Sequence, residues 1–245
     1  LCAMNIILSM EVETRASMSL VLELARLLGL QENGKASEND ELVFRLLTPI
    51  TKLYTAKQAV SVISEGLECF GGQGYIEDTG LPGLLRDAQV LPIWEGTTNI
   101  LSLDVLRAIT KTEGRVILAF RDAVMKKISH AREQSRSDLV SVCDVLEKGL
   151  GEILEFLQHA AKEGPEYLEI PARDLAYSLA RVYAGALLIE HASWSEACHS
   201  DVAVAKRWCS QNLSPVFRCH TLGAYTSGES SLDYEITMKG HPQFE

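Results

Sequence analysis

Apolar residues recur every three or four positions through most of this chain, and four such stripes are clear. Their members are Leu20, Leu24, Leu27 and Leu28; Leu42, Leu46, Ile50 and Leu53; Leu146, Leu150, Ile153, Leu154 and Leu157; and Leu175, Leu179, Val182, Ala186 and Ile189. This spacing places each set on one face of an α-helix. Because sustained alternation of apolar and polar residues is missing before roughly the last thirty residues, the sequence predicts an all-α fold.

Breaks between the helical patterns indicate how the chain is organised. Polar segments with glycine, proline or asparagine cover residues 31–39, 71–82, 163–171 and 223–231, and a softer break covers 110–114. Such residues end helices and form loops. Because the glycine-rich part of the chain ends at the softer break, we predict a helical domain over residues 1–112, a second helical domain over 113–235 and a tail over 236–245.

Two local features refine these boundaries. Pro49 lies within the second apolar stripe, and proline is tolerated in the first turn of a helix but not in its interior. We therefore predict that the second helix begins near Thr48. The last five residues, HPQFE, resemble part of a streptavidin-binding tag, although a native tail has an equal claim.

The composition is that of an ordinary soluble globular protein. The chain has 245 residues, of which 47% are hydrophobic and 23% charged, and its formal net charge is -10. An acidic balance argues against binding that depends mainly on neutralising nucleic-acid phosphates. No apolar run approaches the roughly 20 residues that a membrane-spanning helix needs, so neither nucleic acid nor a membrane is an expected partner.

The six cysteines indicate a reducing, intracellular compartment. None of them forms a CxxC pair, and their wide spacing in a chain of this size is typical of free thiols. A zinc site is the alternative, but the spacings match no familiar zinc pattern, and we expect no metal. Its ligands would come from Cys198, His199, Cys209, Cys219 and His220. No signal peptide is visible, and the sequence does not distinguish a mitochondrial, peroxisomal or cytoplasmic location.

Candidate chemistry is concentrated in residues 70–99. Residues 70–75 read FGGQGY, and residues 93–99 read IWEGTTN. Each glycine in a helix costs roughly 1 kcal/mol relative to alanine, so this cluster indicates a sharp turn or a backbone that approaches a ligand. A helix C-terminal cap explains Gly71 and, less directly, Gly72. A loop whose amides contact a nucleotide phosphate also explains Gly74.

Glu95 is the strongest single candidate for a catalytic role. It lies between Trp94 and Gly96, just before a helix that we expect to begin near Thr97 or Thr98. One interpretation is structural, because a carboxylate near a helix N-terminus is favoured by the helix dipole. The other is a general base, because a carboxylate partly desolvated against an indole can hold a proton near neutral pH. Gly96 would then let a planar ring lie close by.

Together these segments resemble the C-terminal helical domain of flavin-dependent acyl-CoA dehydrogenases. That family ends a long helix with F/L-G-G-x-G-Y/F and continues with L-x-R-D-A, I-Y/W-E-G-T and a final helix. The corresponding segments here are Cys69–Tyr75, Leu84–Ala88, Ile93–Thr97 and the helix around Leu103, in the same order and at matching spacing. The resemblance covers residues 1 to about 110, and it implies the four-helix bundle of that domain followed by a second helical region.

The resemblance implies an oxidoreductase activity for the parent protein. In these enzymes the glutamate of the E-G-T motif removes the α-proton of an acyl-CoA thioester, and the β-hydrogen leaves as hydride to N5 of the flavin. Glu95 would be that base, with Trp94 and Gly96 beside the substrate. Within the family, the WEGTTNI sequence and Leu103–Arg107 are most similar to the alkylation-response, AidB-like branch, in which a helical region also continues past the usual end.

The resemblance also implies an FAD site shared between subunits of a homo-oligomer, either a dimer or a tetramer. Thr97 and Asn99 would contact the flavin. The loop from Glu68 through Gly71, Gly72 and Gly74 would reach the adenosine and pyrophosphate end of an FAD in a neighbouring subunit. The family often has glutamine where this chain has Glu68, whose charge would repel a pyrophosphate. Because the family builds the rest of the flavin site from domains upstream, we expect this chain alone neither to retain FAD nor to turn over.

Two other functions stay open from the sequence. The branch resemblance allows a nucleic-acid-associated role for the region from residue 113, although the net charge opposes it. A basic cluster there is either a phosphate-binding patch or a solvated helix face, and it comprises Lys126, Lys127, Arg132 and Arg136. That region could instead serve oligomerisation or membrane docking, but Leu118–His130 only weakly meets the pattern of a membrane-surface helix.

Overall fold

The computed structural model describes residues 2–134 and 138–239, and within these ranges the chain folds into ten α-helices with no strand. The helices are α1 (Cys2–Glu32), α2 (Glu38–Cys69), α3 (Leu81–Val90), α4 (Thr98–Lys111), α5 (Arg115–Glu133), α6 (Val140–Glu163), α7 (Ala172–Ser193), α8 (His199–Cys209), α9 (Pro215–Thr221) and α10 (Ser227–Tyr234). The all-α fold expected from the apolar periodicity is therefore confirmed. The HPQFE segment, residues 241–245, lies outside the described residues.

The second helix begins about ten residues earlier than the position of its proline predicts. α2 starts at Glu38 and continues through Pro49, so the prediction of a start near Thr48 is wrong. Ser37 caps the helix, because its hydroxyl accepts a hydrogen bond from the Asp40 amide at 3.2 Å. An interior proline costs ~3 kcal/mol, whereas each fully buried leucine or isoleucine contributes about 1.5–3 kcal/mol. The fully buried apolar residues on this helix include Leu46, Leu47, Ile50 and Leu53.

The apolar stripes supply most of the core. On α1, Leu20 and Leu27 are fully buried, and Leu24 is partly buried against the core. Leu28 is the exception, since 42% of it is exposed to solvent. It lies one position beyond Leu27, where the helix surface has already turned away from the neighbouring helices.

Helix α7 lies at the centre of the molecule and joins its two halves. It packs against α1, α2 and α4 of the N-terminal half and against α5, α6, α8 and α9 of the C-terminal half. The rings of Tyr54 on α2 and Trp208 on α8 meet edge to face, with centroids 6.2 Å apart. Buried apolar residues from Val12 to Tyr225 form one connected cluster. The regions on either side of residue 112 therefore share a single core.

A buried polar cluster crosses the same junction. Glu23 of α1, only 6% exposed, accepts a hydrogen bond from the Tyr183 hydroxyl at 3.0 Å. The Lys127 ammonium of α5 lies 3.7 Å from Glu23 and 2.6 Å from Glu190 of α7. Burial acts to raise the pKa of Glu23, but hydrogen bonds from Arg26 and the charge of Lys127 outweigh burial and leave that pKa below its ordinary value.

Candidate functional site

Glu95 lies on a strained turn between α3 and α4. At the beginning of the turn, the amides of Ile93 and Trp94 donate hydrogen bonds to the Val90 carbonyl at 3.0 and 3.1 Å. Glu95 has φ +54° and Gly96 has φ +115°. A non-glycine residue in the left-handed region costs on the order of 1–3 kcal/mol and persists only where the surroundings hold it. The backbone at Glu95 is therefore fixed by contacts from outside the turn.

Lys52 of α2 supplies those contacts. Its ammonium donates hydrogen bonds to the carbonyls of Leu91, Trp94 and Gly96 at 2.9, 2.6 and 2.6 Å. Burial lowers the pKa of Lys52 below its ordinary value, and the negative charge of Glu95 opposes that shift. Lys52 was not predictable from the sequence, because its position within α2 carries no information about a turn some forty residues away.

The Glu95 side chain is exposed and borders a groove between α1 and α2. The groove has a volume of about 720 Å³ and a largely apolar lining. Its walls include Met18, Val21, Ala59, Val62, Ile63 and Trp94. Trp94 is 55% exposed, so the indole lies beside the groove without enclosing it. The Glu95 carboxylate is therefore accessible to solvent, and Glu95 and Trp94 both line the groove.

A second carboxylate, Glu13 of α1, lines the same groove. Burial raises the pKa of Glu13, while the Tyr54 hydroxyl and the Arg181 guanidinium act in the opposite direction. The Tyr54 hydroxyl donates to Glu13 at 3.1 Å. Because that carboxylate already serves a buried tyrosine, we assign Glu13 a structural role at the floor of the groove.

The start of α4 alternates between exposed and buried side chains. Thr97 occupies the N-cap position without a side-chain cap hydrogen bond, and the helix begins at Thr98 as expected. Thr98 is buried, whereas Thr97 and Asn99 are exposed. Gly96 lies close to this helix, since a Cβ atom there would come within 3.1 Å of the Leu101 side chain. Thr97, Asn99 and Glu95 are thus each accessible to solvent.

The three glycines after α2 differ in why their positions suit a residue without a side chain. Gly71 has φ +56° and, like Gly72, has open space where a side chain would extend. Gly74 is buried, and a Cβ atom there would lie 2.1 Å from the Leu67 carbonyl oxygen. Close packing against the end of α2 therefore requires glycine at position 74, and this requirement does not depend on a bound ligand. Glu68 is exposed on the last turn of α2.

Internal contacts hold the glycine loop in place. The Thr79 hydroxyl donates to the carbonyls of Gln73 and Ile76 at 3.0 and 2.8 Å. Arg86 of α3 makes a two-point contact with Glu77 at 2.8 and 3.0 Å. Arg86 therefore serves a structural ion pair whose partner is Glu77 on the loop.

Two neighbouring grooves lie between the Glu95 turn and Phe70, the residue before the glycine loop. A second groove, with a volume of about 340 Å³, runs from the first towards Phe70 at the end of α2. The two grooves share the lining residues Thr14, Val62 and Ile63. Segments separated by about twenty residues in sequence thus meet the same α1–α2 face.

The other candidate sites are less favourable. Lys127 of the basic cluster is buried and paired with Glu190, and Arg132 contacts Asp144 and Glu147 at 2.8 and 2.6 Å. Arg136 lies outside the described residues. In residues 2–134 and 138–239, no group of three or more His, Cys, Asp or Glu side chains could hold a metal ion. No helix in these ranges has the length and apolar composition to cross a membrane.

Two family comparisons divide the chain between them. The family described as "Acyl-CoA dehydrogenase, C-terminal domain" matches residues 5–110. The family described as "Acyl-CoA dehydrogenase 11 C-terminal domain-like" matches residues 115–238. Together they cover most of the chain, including the glycine loop and the Glu95 turn.

Individual proteins give the same result. Acyl-CoA dehydrogenase family member 11 of Caenorhabditis elegans is 50% identical over 204 residues, which is 82% of this chain and 33% of that protein. The crystal structure of C. elegans ACDH-11 in complex with C11-CoA superposes with a TM-score of 0.87 at 44% identity, covering 95% of this chain and 39% of that one. This chain therefore spans about a third of the length of its curated relative.

A more distant structure shows the same fold. An acyl-CoA dehydrogenase from Bacillus anthracis, complexed with FAD, has a TM-score of 0.70 at 16% identity and covers 98% of this chain and 45% of that one. These comparisons confirm the family resemblance drawn from the motifs. They leave the assignment to the AidB-like branch unconfirmed.

Proposed function

Because this chain belongs to the acyl-CoA dehydrogenase family, we propose that it is the C-terminal portion of an FAD-dependent enzyme that dehydrogenates an acyl-CoA thioester between its α and β carbons. Glu95 is the base that removes the α-proton. One observation carries this proposal: Glu95 lies exposed on a strained, externally held turn at the mouth of an apolar groove. Strain of this kind tends to occur at functional sites.

The surroundings of Glu95 suit a base. A general base must come within hydrogen-bond reach of the proton that it removes, and an exposed side chain at a groove mouth can do so. The N-terminus of α4 follows directly, and helix N-termini favour a negative charge nearby. Trp94, which is 55% exposed, adds apolar surface to the same groove.

The exposed elements around Glu95 fit one wall of an FAD site. FAD, when bound, supplies the acceptor for the β-hydrogen. Thr97 and Asn99 present exposed polar side chains at the start of α4. On the loop that follows α2, the open space around Gly71 and Gly72 allows a cofactor to approach the backbone.

Two of the expected cofactor contacts take other roles in this proposal. Gly74 holds the loop against Leu67 and supports the phosphate-binding segment without touching the cofactor. Glu68 is exposed, and its negative charge opposes a pyrophosphate contact.

An acyl-CoA substrate and a homo-oligomeric assembly complete the proposal. The related ACDH-11 structure is a complex with C11-CoA, and the apolar lining of the groove beside Glu95 suits an acyl chain. Tyr75, next to the glycine loop, is 86% exposed. A neighbouring subunit, or the FAD that it binds, would cover this apolar loop and remove its surface from water.

Exchange of the substrate α-proton with solvent tests the base directly. In the full-length protein, Glu95→Gln keeps the side-chain shape and removes the base, so incorporation of solvent deuterium into an acyl-CoA should fall by about 10²- to 10⁴-fold. Glu113→Gln is a matched control, because Glu113 also has a positive φ, also precedes a glycine and is also exposed. Exchange at the wild-type rate in a folded Glu95→Gln variant would rule out the proposed role.

A further inference from the structure

Lys52 is placed to control the backbone on both sides of Glu95. Its ammonium donates to the carbonyl of Trp94, directly before Glu95, and to the carbonyl of Gly96, directly after it, each at 2.6 Å. Its third hydrogen bond goes to the Leu91 carbonyl at 2.9 Å. A lysine ammonium has three protons, so one side chain matches three acceptors of the turn.

The anchor for these hydrogen bonds is rigid. The residues on either side of Lys52, Thr51 and Leu53, are 3% and 1% exposed, so the helix backbone at this position is fixed by the core. Hydrogen bonds from a charged donor are shorter and stronger than neutral ones. These hydrogen bonds hold the turn in a defined position relative to α2, which also forms one wall of the groove beside Glu95.

The chain contains an internal comparison for this arrangement. Glu113 and Gly114 also form a left-handed pair, but backbone hydrogen bonds hold it. The Gly114 amide donates to the Ile109 carbonyl at 2.9 Å, and the Glu113 amide donates to the Thr110 carbonyl at 3.1 Å. A helix C-terminus can produce that geometry unaided. The peptides that flank Glu95 are instead held by a side chain from another helix.

We propose that Lys52 is a positioning residue that fixes Glu95 in the orientation needed for proton abstraction. This inference rests on the proposed role of Glu95 as the base. Lys52 also lines the groove, but the role proposed for it is exerted through its hydrogen bonds to the turn. Loss of its hydrogen bonds would release the left-handed backbone and let the carboxylate move, and displacement by about 1 Å can reduce turnover about 10²-fold.

The test compares Lys52→Met with Lys57→Met in the full-length protein. Methionine keeps the length of the lysine stem and removes the ammonium, and Lys57 is a control on the same helix. Lys52→Gln is the second variant, should the methionine variant fold poorly. For both Lys52 variants, kcat and α-proton exchange should fall about 10²-fold while KM for the acyl-CoA changes little, as expected when the loss affects the reaction step.

Amide hydrogen exchange gives a readout that does not depend on activity. The amides of residues 91–97 should exchange at least about tenfold faster in the Lys52 variants than in Lys57→Met, because the turn opens locally. Equal exchange in all variants would overturn the inference, and so would faster exchange with wild-type kcat. A Glu95→Gln variant that retains α-proton exchange would instead contradict the proposed function, while amide exchange would still report whether Lys52 holds the turn.

Discussion

At the scale of single residues, Glu95 and Glu113 show that a Glu-Gly pair can adopt the left-handed conformation through two different kinds of contact. They are the two non-glycine residues with positive φ in the described ranges, and a glycine with positive φ follows each. At Glu113 the conformation belongs to the end of α4. At Glu95 it is imposed by Lys52, and it places a carboxylate beside a groove. A positive φ alone therefore does not identify a functional site. The contacts that hold the backbone in that conformation distinguish Glu95 from Glu113.

The glycine loop allows a prediction that separates packing from ligand contact. Gly74→Ala should destabilise the fold by about 1–3 kcal/mol, because the added methyl would lie 2.1 Å from the Leu67 carbonyl oxygen and must be accommodated by backbone movement. The free energy of unfolding in urea measures this cost without any cofactor present.

Gly72→Ala is the matched control for this change. Its added methyl would meet no atom within 4 Å, so its effect on stability should stay within about 0.5 kcal/mol or be slightly favourable. Equal destabilisation by both substitutions would contradict the packing role assigned to Gly74.

At the scale of helices, the sequence predicts what depends on spacing and misses what depends on tertiary contact. The buried members of each stripe were predictable, because a period near 3.6 places them on one face. The start of α2 was not, because the burial of Leu46 and Ile50 that outweighs Pro49 exists only once other helices pack there. Lys52 was not predictable either, since it contacts Trp94 across 42 positions. The motifs, by contrast, located Glu95 and the loop directly.

The contact between α6 and α9 gives stability a pH dependence. The rings of His159 on α6 and His220 on α9 lie 4.5 Å apart, and the Tyr167 hydroxyl is 3.2 Å from Nδ1 of His220. Burial, reinforced by His159 and opposed by Glu155, lowers the pKa of His220 below its ordinary value of 6.5. The unfolded chain therefore binds the proton more readily, so stability is fully present above about pH 6.5 and is lost as the pH falls below it.

Urea unfolding at about pH 7.5 and about pH 5.5 checks this dependence. The loss of unfolding free energy on acidification should be smaller in His220→Gln than in the wild type. His130→Gln, which removes an exposed histidine of α5, should retain the wild-type loss. An identical loss in all three proteins would exclude His220 as a source of the pH dependence.

At the scale of the whole molecule, the two matched families meet inside one core. Family matches end at residue 110 and resume at 115, but α7 packs on α1, α2 and α4. The C-terminal helices are therefore part of the support for the wall that carries Glu95. We expect the chain to unfold in a single cooperative transition, with equal calorimetric and van't Hoff enthalpies.

A substitution at the junction tests this coupling. Glu23→Ala should lower the free energy of unfolding by roughly 3 kcal/mol, because the buried Tyr183 hydroxyl loses its acceptor and Lys127 loses one of its two carboxylates. The single calorimetric transition should move as a whole. Glu32→Ala, at the exposed end of α1, should change the stability little. Separation of the transition into two steps would contradict a shared core.

The shared core has a consequence for reading genetic variation in this protein. A missense variant at Tyr183 or Trp208 would reduce the amount of folded protein in a cell, because lower stability increases the unfolded fraction. A variant at the exposed Glu95 would leave that amount unchanged. Protein abundance, measured alongside activity, would separate the two kinds of variant.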